Sequence, residues 1–387
     1  MALALLADAW ARARGGAVLA LVVDHGLRAE SAAEAELTVA RLTARGIVAR
    51  LLTLAGLAKG PALAARARAA RYAALEAACA GDGRLHLLLG HHAGDQAETL
   101  AMRVLSGSGP AGRAAMPALA ETAWVRLLRP LLGMAPVRLR ATLRAAGVAW
   151  VDDPSNADPA TLRARLRAAR ADPDGTGAAT RRAAEAAAAA GAARGWAERE
   201  AAGVLARRAR LHPEGYALLT PGTLPPSALA ALLRVLGGAD WAPGPAQVAA
   251  LARAPRAATL GGVRIMPAGR LAPGHWLLVR EAAAMAAPVA ARAGVVWDGR
   301  FRLADHATLP RGLRLGAIGD AAAGLRRGSR MPAALLRTLP ALWRDGVLVN
   351  APILGYCDLL CYQTCRVEFV PRSPAAGAPF LPPARVT

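Results

Sequence analysis

Seven consecutive apolar residues, Ala17 to Val23, run directly into Asp24-His25-Gly26. Unbroken apolarity of that length, with β-branched residues at its end, suits a strand covered on both faces rather than one facing water. Such strands belong to parallel sheets flanked by helices, and the rest of the first half keeps that rhythm. Ala2 to Arg14 has helical periodicity. Ser31, with Glu34 three residues on, predicts a capping box opening a helix that ends near Arg45, before Gly46. Strand candidates follow at Ile47 to Leu54, Leu85 to Leu89 and Val125 to Leu128, with helices predicted from Pro61 to Cys79, Gly94 to Ser106 and Pro136 to Ala146. Strands alternating with helices predict an α/β fold with a doubly wound parallel sheet. Ligands of such folds bind beyond the carboxyl ends of the strands, where Asp24-His25-Gly26 and Gly90-His91-His92 fall, so both turns are expected on one rim of the sheet.

After the turn-rich stretch 171–180 the composition changes. The sequence predicts a mainly helical middle domain over 181–285, with a pause at Gly191 to Gly195 and strand-like pieces at Gly262 to Ile265 and Trp276 to Arg280. A small α+β domain of short strands is expected over 295–370, with one helix from Pro332 to Leu342, and a proline-rich disordered tail over 371–387.

Charge narrows the partners. The chain has 48 Lys and Arg against 27 Asp and Glu, a net charge of +21, and Lys59 is its only lysine. An excess of that size favours an extended polyanion through counterion release. Arginine interrupts the apolar runs well before the ~20 residues a membrane span requires. The start lacks a basic leader, so a reduced cytoplasmic setting is expected. The four cysteines, Cys79, Cys357, Cys361 and Cys365, match no zinc signature and suit buried apolar positions.

Four clusters carry polar chemistry. In Gly90 to Thr99 (GHHAGDQAET), Asp95 and Glu98 stand three apart on one face of a helix start, where acids are favoured. A zinc site at His91, His92 and Asp95 would lack the i, i+4 histidine pair by which a helix grips one ion, and no metal site is assigned. Asp24 to Arg28 (DHGLR) forms a turn in which Gly26 permits a positive φ. Gly107, in the Ser106 to Gly109 run (SGSG), is able to approach phosphate through backbone N–H groups. Trp150 to Asn156 (WVDDPSN) precedes Arg163, Arg165 and Arg167.

In this order the clusters resemble the tRNA(Ile)-lysidine synthase family of the N-type ATP pyrophosphatases. The matching segments also include Ala67 to Tyr72 (ARAARY) and Arg129 to Leu132 (RPLL). The resemblance is firm over about the first 165 residues and implies a catalytic domain over 1–168. It implies ATP as co-substrate with Mg2+, and free L-lysine and tRNA(Ile) as substrates, lysine being joined to C2 of the anticodon wobble cytidine through an adenylated base. It places ATP near Asp24, His25, Gly26, Arg28 and Gly107. It gives lysine recognition to Asp95 and Glu98. Arg163, Arg165 or Arg167 is expected to neutralise charge at the adenylate or to touch tRNA. His91, His92 and the carboxylates stand as candidates for the base that takes the proton of the attacking amine.

Two departures are visible. Gly94 stands where the family commonly has an acid. The family's Ser-Gly-Gly-x-Asp-Ser phosphate loop would fall ahead of Met1, together with a first strand. That pattern favours a true start upstream, the alternative being a catalytically impaired, RNA-binding relative.

Overall fold

The computed structural model describes residues 1–58, 60–122, 124–151, 158, 160–304, 309–326, 329–358 and 365–383. The chain divides into two compact units, 1–196 with 378–387, and 197–377.

The first unit is α/β. Helix α1 (Ala2–Arg12) precedes β1 (Leu19–Asp24), α2 (Ser31–Thr43), β2 (Val48–Thr53), α3 (Leu63–Gly81), β3 (His86–Leu88) and α4 (Ala93–Leu105). Then come β4 (Leu119–Glu121), β5 (Arg126–Leu128), α5 (Pro136–Ala145), α6 (Leu162–Arg170) and α7 (Ala178–Arg208), the last running on into the second unit. Strands β1 and β2 pair in parallel from Leu19 opposite Val48 to Asp24 opposite Thr53. Strand β3 pairs in parallel with β5, and β4 lies antiparallel on the far side of β5. The expected doubly wound sheet is thus two ladders rather than one, because no hydrogen-bonded pairing joins β1 to β3. They share a core nonetheless. Leu21, Val23 and Leu52 of the first ladder pack with Leu87, Val125 and Leu127 of the second, under Tyr72, Leu75 and Cys79 of α3.

Two expectations for this unit need correction. Phe380 is buried rather than disordered, and Leu381 bridges to Leu119. Its ring fills the space at Gly191, where a Cβ would lie 2.7 Å from Phe380 Cε1, with Arg194 4.8 Å from the ring centroid. Gly191 is therefore a packing notch in a continuous α7, not a break. The stretch 171–180 is also pinned: Asp172 accepts hydrogen bonds from Thr180 Oγ1 and from the N–H groups of Thr176 and Gly177, which hold its carboxyl below the usual range.

The second unit is richer in strands than the sequence predicts. Five antiparallel strands, β6 (Ala209–His212), β7 (Tyr216–Leu219), β8 (Ala258–Leu260), β9 (Val263–Pro267) and β10 (Trp276–Arg280), form a sheet in the order β6-β7-β10-β9-β8. Helix α8 (Pro226–Gly237) buries Leu229, Leu232, Leu233 and Leu236 against Val263, Ile265 and Leu278, with Val248 and Leu251 of α9 (Pro245–Arg253). Strands β9 and β10 fall where the sequence reads as strand-like, at Gly262 to Ile265 and Trp276 to Arg280, while β6, β7 and β8, only three or four residues long, carry no such signal.

Further along, β11 (Val289–Ala290), β12 (Val296–Trp297), β13 (Phe301–Leu303), β14 (Arg314–Ala317), β15 (Pro340–Arg344), β16 (Val347–Ala351), β17 (Tyr356–Cys357) and β18 (Val367–Phe369) complete two more sheets. The helix expected from Pro332 to Leu342 is only Ala333–Leu336, and Pro340 opens β15 instead. The residue before a proline resists the helical conformation, which ends the helix here. One carboxylate, Asp298, holds two arginines inside this unit: Arg280 at 3.0 Å and Arg300 at 2.8 Å.

Candidate active site

Strand β1 delivers Asp24 buried at its carboxyl end. Asp24 Oδ1 accepts from Gly26 N–H at 2.9 Å and from Ser31 Oγ at 2.6 Å, and these bonds hold its carboxyl below the ordinary range despite burial. Gly26 takes φ +62°, as the tight turn requires. The capping box expected of Ser31 and Glu34 does not form. Ser31 binds the turn instead, and Glu34 pairs with Arg28 at 2.7 Å. Asp24 is thus an organiser, while the half-buried His25 and Arg28 border the turn it shapes.

The true capping box lies at α4. His92 Nδ1 accepts from the N–H groups of Gly94 at 3.1 Å and Asp95 at 3.4 Å, while Asp95 Oδ2 accepts from His92 N–H at 3.0 Å. Accepting at Nδ1 makes this imidazole the neutral Nε2–H tautomer, consistent with burial lowering its pKa. A Cβ on Gly94 would lie 3.0 Å from His92 Cε1, so the glycine here goes with this ring position. Gln96, fully buried, clamps Met116 through both amide atoms, at 2.9 and 3.0 Å.

His91 is half-buried, and its Nδ1 is buried without a hydrogen-bond partner among the described residues. Burial, and to a lesser extent Arg129, Arg68 and Arg163, push its pKa down to about 4 against the opposing pull of Asp95. His91 is therefore neutral at neutral pH.

Glu98 is the most buried carboxylate of the site, its side chain 1% exposed. It accepts from Arg163 Nε at 2.8 Å, from Arg167 Nε at 2.8 Å and Nη2 at 3.1 Å, and from Arg170 Nη2 at 3.5 Å. Arg163 Nη2 also lies 3.5 Å from Asp95 Oδ1. Positions 163, 167 and 170 form one face of α6, and Arg165 is exposed on another. The sequence marks Arg163, Arg165 and Arg167 as a run; the i, i+4, i+7 spacing is the signal that sets Arg163 and Arg167 apart from Arg165 and adds Arg170.

The structure thus brings together His91, His92, Asp95, Glu98 and Arg163, with Arg165 on the same helix as Arg163 but outside the cluster. It does not bring Gly107 to them. Ser108 N–H bonds Arg103 O, and Gly107 N–H bonds Val104 O with φ +66° at Gly107. That is a Schellman ending of α4. The helix has 13 residues, so Gly107 sits about 20 Å from the helix start at 1.5 Å per residue. Asp152 to Asn156 of the DDPSN segment, and Cys361, lie outside the described residues. No three His, Cys, Asp or Glu side chains among the described residues are grouped to hold a metal ion, and no helix among them is long and apolar enough to cross a membrane.

Comparison with known proteins adds a second line. Residues 1–171 match the family model of the PP-loop domain. The tRNA(Ile)-lysidine synthase of Ruegeria pomeroyi is 34% identical over 347 residues, covering 87% of this chain and 81% of that protein. The tRNA(Ile)-lysidine synthase of Bradyrhizobium sp. (strain BTAi1) is 45% identical over 170 residues, which is 43% of this chain and about half (48%) of that relative's length. The U34-tRNA thiolase NcsA from Methanococcus maripaludis, solved with its [4Fe-4S] cluster, aligns with a TM-score of 0.40 at 13% identity, over 48% of this chain and 65% of that one.

Proposed function

The chain belongs to the tRNA(Ile)-lysidine synthase family, and from that premise we propose that it uses ATP to ligate free L-lysine to C2 of the wobble cytidine of tRNA(Ile). ATP adenylates the C2 oxygen of the base with loss of pyrophosphate. The lysine side-chain amine then attacks C2, and AMP leaves with the oxygen.

The observation that carries this reading is the convergence of a neutral histidine, two carboxylates and three arginines where α4 begins. Asp95 is the direct ligand for the ammonium groups of lysine, since it keeps free lone pairs beside its cap bond. Glu98 serves the same substrate indirectly, by fixing Arg163 and Arg167 beside the start of α4. A free lysine side chain has a pKa of ~10.4, and neighbouring guanidinium groups lower it toward the neutral form that attacks. His91, neutral and with an Nδ1 that has no partner among the described residues, accepts the amine's hydrogen bond. His25, Gly26 and Arg28 receive the nucleotide on the turn that Asp24 organises. A Mg2+ ion accompanying ATP would be carried mainly on its phosphates and water, where it would neutralise phosphate charge. The net charge of +21 suits a tRNA substrate, and exposed Arg165 is free to meet its backbone.

The test is pyrophosphate release and incorporation of labelled lysine with ATP and a tRNA(Ile) transcript. Both are expected to depend on the RNA. RNA binding without either product would leave an RNA-binding role alone, and RNA-independent ATP hydrolysis with no label in RNA would overturn the proposal.

A further inference from the structure

The ARAARY and RPLL segments have no role in the scheme above, yet they meet. A depression of about 380 Å³ is lined by Ala65, Arg68, Ala69 and Tyr72 of α3 and by Arg129. Positions 65, 69 and 72 follow one helix face, so two alanines form a smooth floor and the tyrosine a wall. Arg68 lies 4.9 Å from the Tyr72 ring centroid and donates to its hydroxyl at 3.2 Å. Arg129 is 7% exposed. Its Nη1 donates to Pro117 O at 2.9 Å, while its Nε is buried with no partner among the described residues. A buried guanidinium N–H without an acceptor is costly, and a ligand oxygen in this depression would relieve it. The depression adjoins the site already described, since Arg129, Arg68 and Arg163 all act on His91. Arg71, 5.7 Å from the same ring, adds further positive charge.

We propose that this depression seats the target nucleotide of the RNA substrate, its base stacked with the Tyr72–Arg68 pair and its phosphate held by Arg129 and Arg68. The assignment rests on the tRNA-modifying function proposed above. An aromatic ring beside arginines is the common platform for an unpaired base and its phosphate. Enzymes that act on a base take it out of the stack into such a pocket. The openness of the place favours a polynucleotide over free ATP. Ala65, Arg68 and Ala69 are all exposed, which lets a chain enter and leave, whereas small-molecule sites bury most of their ligand.

The experiment uses the full chain and the anticodon stem–loop of tRNA(Ile) carrying fluorescent pyrrolo-cytidine at the wobble position, with trinitrophenyl-ATP as the nucleotide probe. The wild type is expected to quench the wobble base on binding. Tyr72→Phe retains the quench. Tyr72→Leu abolishes it while binding the stem–loop within about 10-fold, the cost of one lost stack. Arg68→Ala weakens the stem–loop and lowers the slope of log affinity against log salt by about 1, with trinitrophenyl-ATP affinity unchanged. Circular dichroism checks that each variant is folded. An undiminished quench in Tyr72→Leu, or a bound stem–loop whose wobble base stays unquenched by the wild type, overturns the assignment alone. Loss of trinitrophenyl-ATP affinity with unchanged stem–loop binding would make the depression a nucleotide cofactor site and overturn it as well. Failure of the wild type to bind the stem–loop at all would overturn the tRNA-modifying function together with it.

Discussion

Replacing Glu98 by alanine removes a carboxylate to which three guanidinium groups of α6 are tied. Glu98 is 1% exposed, whereas Arg163, Arg167 and Arg170 are 38%, 34% and 13% exposed. Breaking a buried ion pair by deleting one partner costs about 3–5 kcal/mol. Water reaches two of the three arginines and recovers part of their solvation, so the lower end, about 3 kcal/mol, is the appropriate figure. For a unit of this size, that lowers the midpoint of thermal unfolding by roughly 6–12 °C. Glu98→Gln keeps the shape and some of the acceptor capacity and should fall between. The control is Glu121→Ala, whose partner Arg126 is itself 40% exposed, with an expected loss below about 1 kcal/mol. Calorimetry measures the shift, and limited trypsin digestion reports whether the α6 arginines become cleavable sooner. If Glu98→Ala melts with the Glu121→Ala control and α6 is cut no faster, the arginines are not held by Glu98, and its positioning role fails.

Four further outcomes are expected. Asp298→Ala strands Arg280 and Arg300, 9% and 1% exposed, and should cost about 3–5 kcal/mol in the urea transition of the second unit; an unchanged midpoint would contradict this. His91 has a folded-state pKa of about 4 against an ordinary 6.5, and that of His92 is lowered too, so between those values the unfolded chain binds protons that the native one does not. Stability should therefore fall as pH drops from 6.5 toward 4, and His91→Gln should flatten that slope in urea melts at several pH values; an identical slope would refute it. Gly94→Asp brings a Cβ against the His92 ring and should cost about 1 kcal/mol through the lost cap, seen as a lower melting temperature. Phe380→Ala empties the notch at Gly191 and should destabilise the first unit by about 3 kcal/mol, measured by calorimetry.

The first half of the fold was legible because its periodicities are strong. The apolar run at β1 and the caps and breakers around α2 to α5 locate elements to within a few residues. The candidate residues at α4 were visible as a dense polar cluster. Their wiring was not: that His92 caps α4, and that Ser31 bonds the Asp24 turn rather than capping α2, is decided only in the folded chain. Glu98 looks from sequence like a surface acid at a helix start. Its burial depends on α6, some 65 residues away, and long-range pairing leaves no periodic trace. In the second unit β9 and β10 were legible as the apolar pieces Gly262 to Ile265 and Trp276 to Arg280, whereas β6, β7 and β8 were obscured by length: three or four residues of mixed composition suit a helix or a turn equally well.

Phe380 and Leu381 close onto α7 and β4 only after the whole of 197–377 has been made. The first unit is therefore discontinuous in the order of synthesis. A nascent chain emerging from the ribosome would have residues 1–196 waiting, with an apolar notch at Gly191 unfilled, until Phe380 and Leu381 have been added. Transcripts cut short downstream would then yield a protein whose later unit is almost intact but whose earlier one lacks its closing clasp.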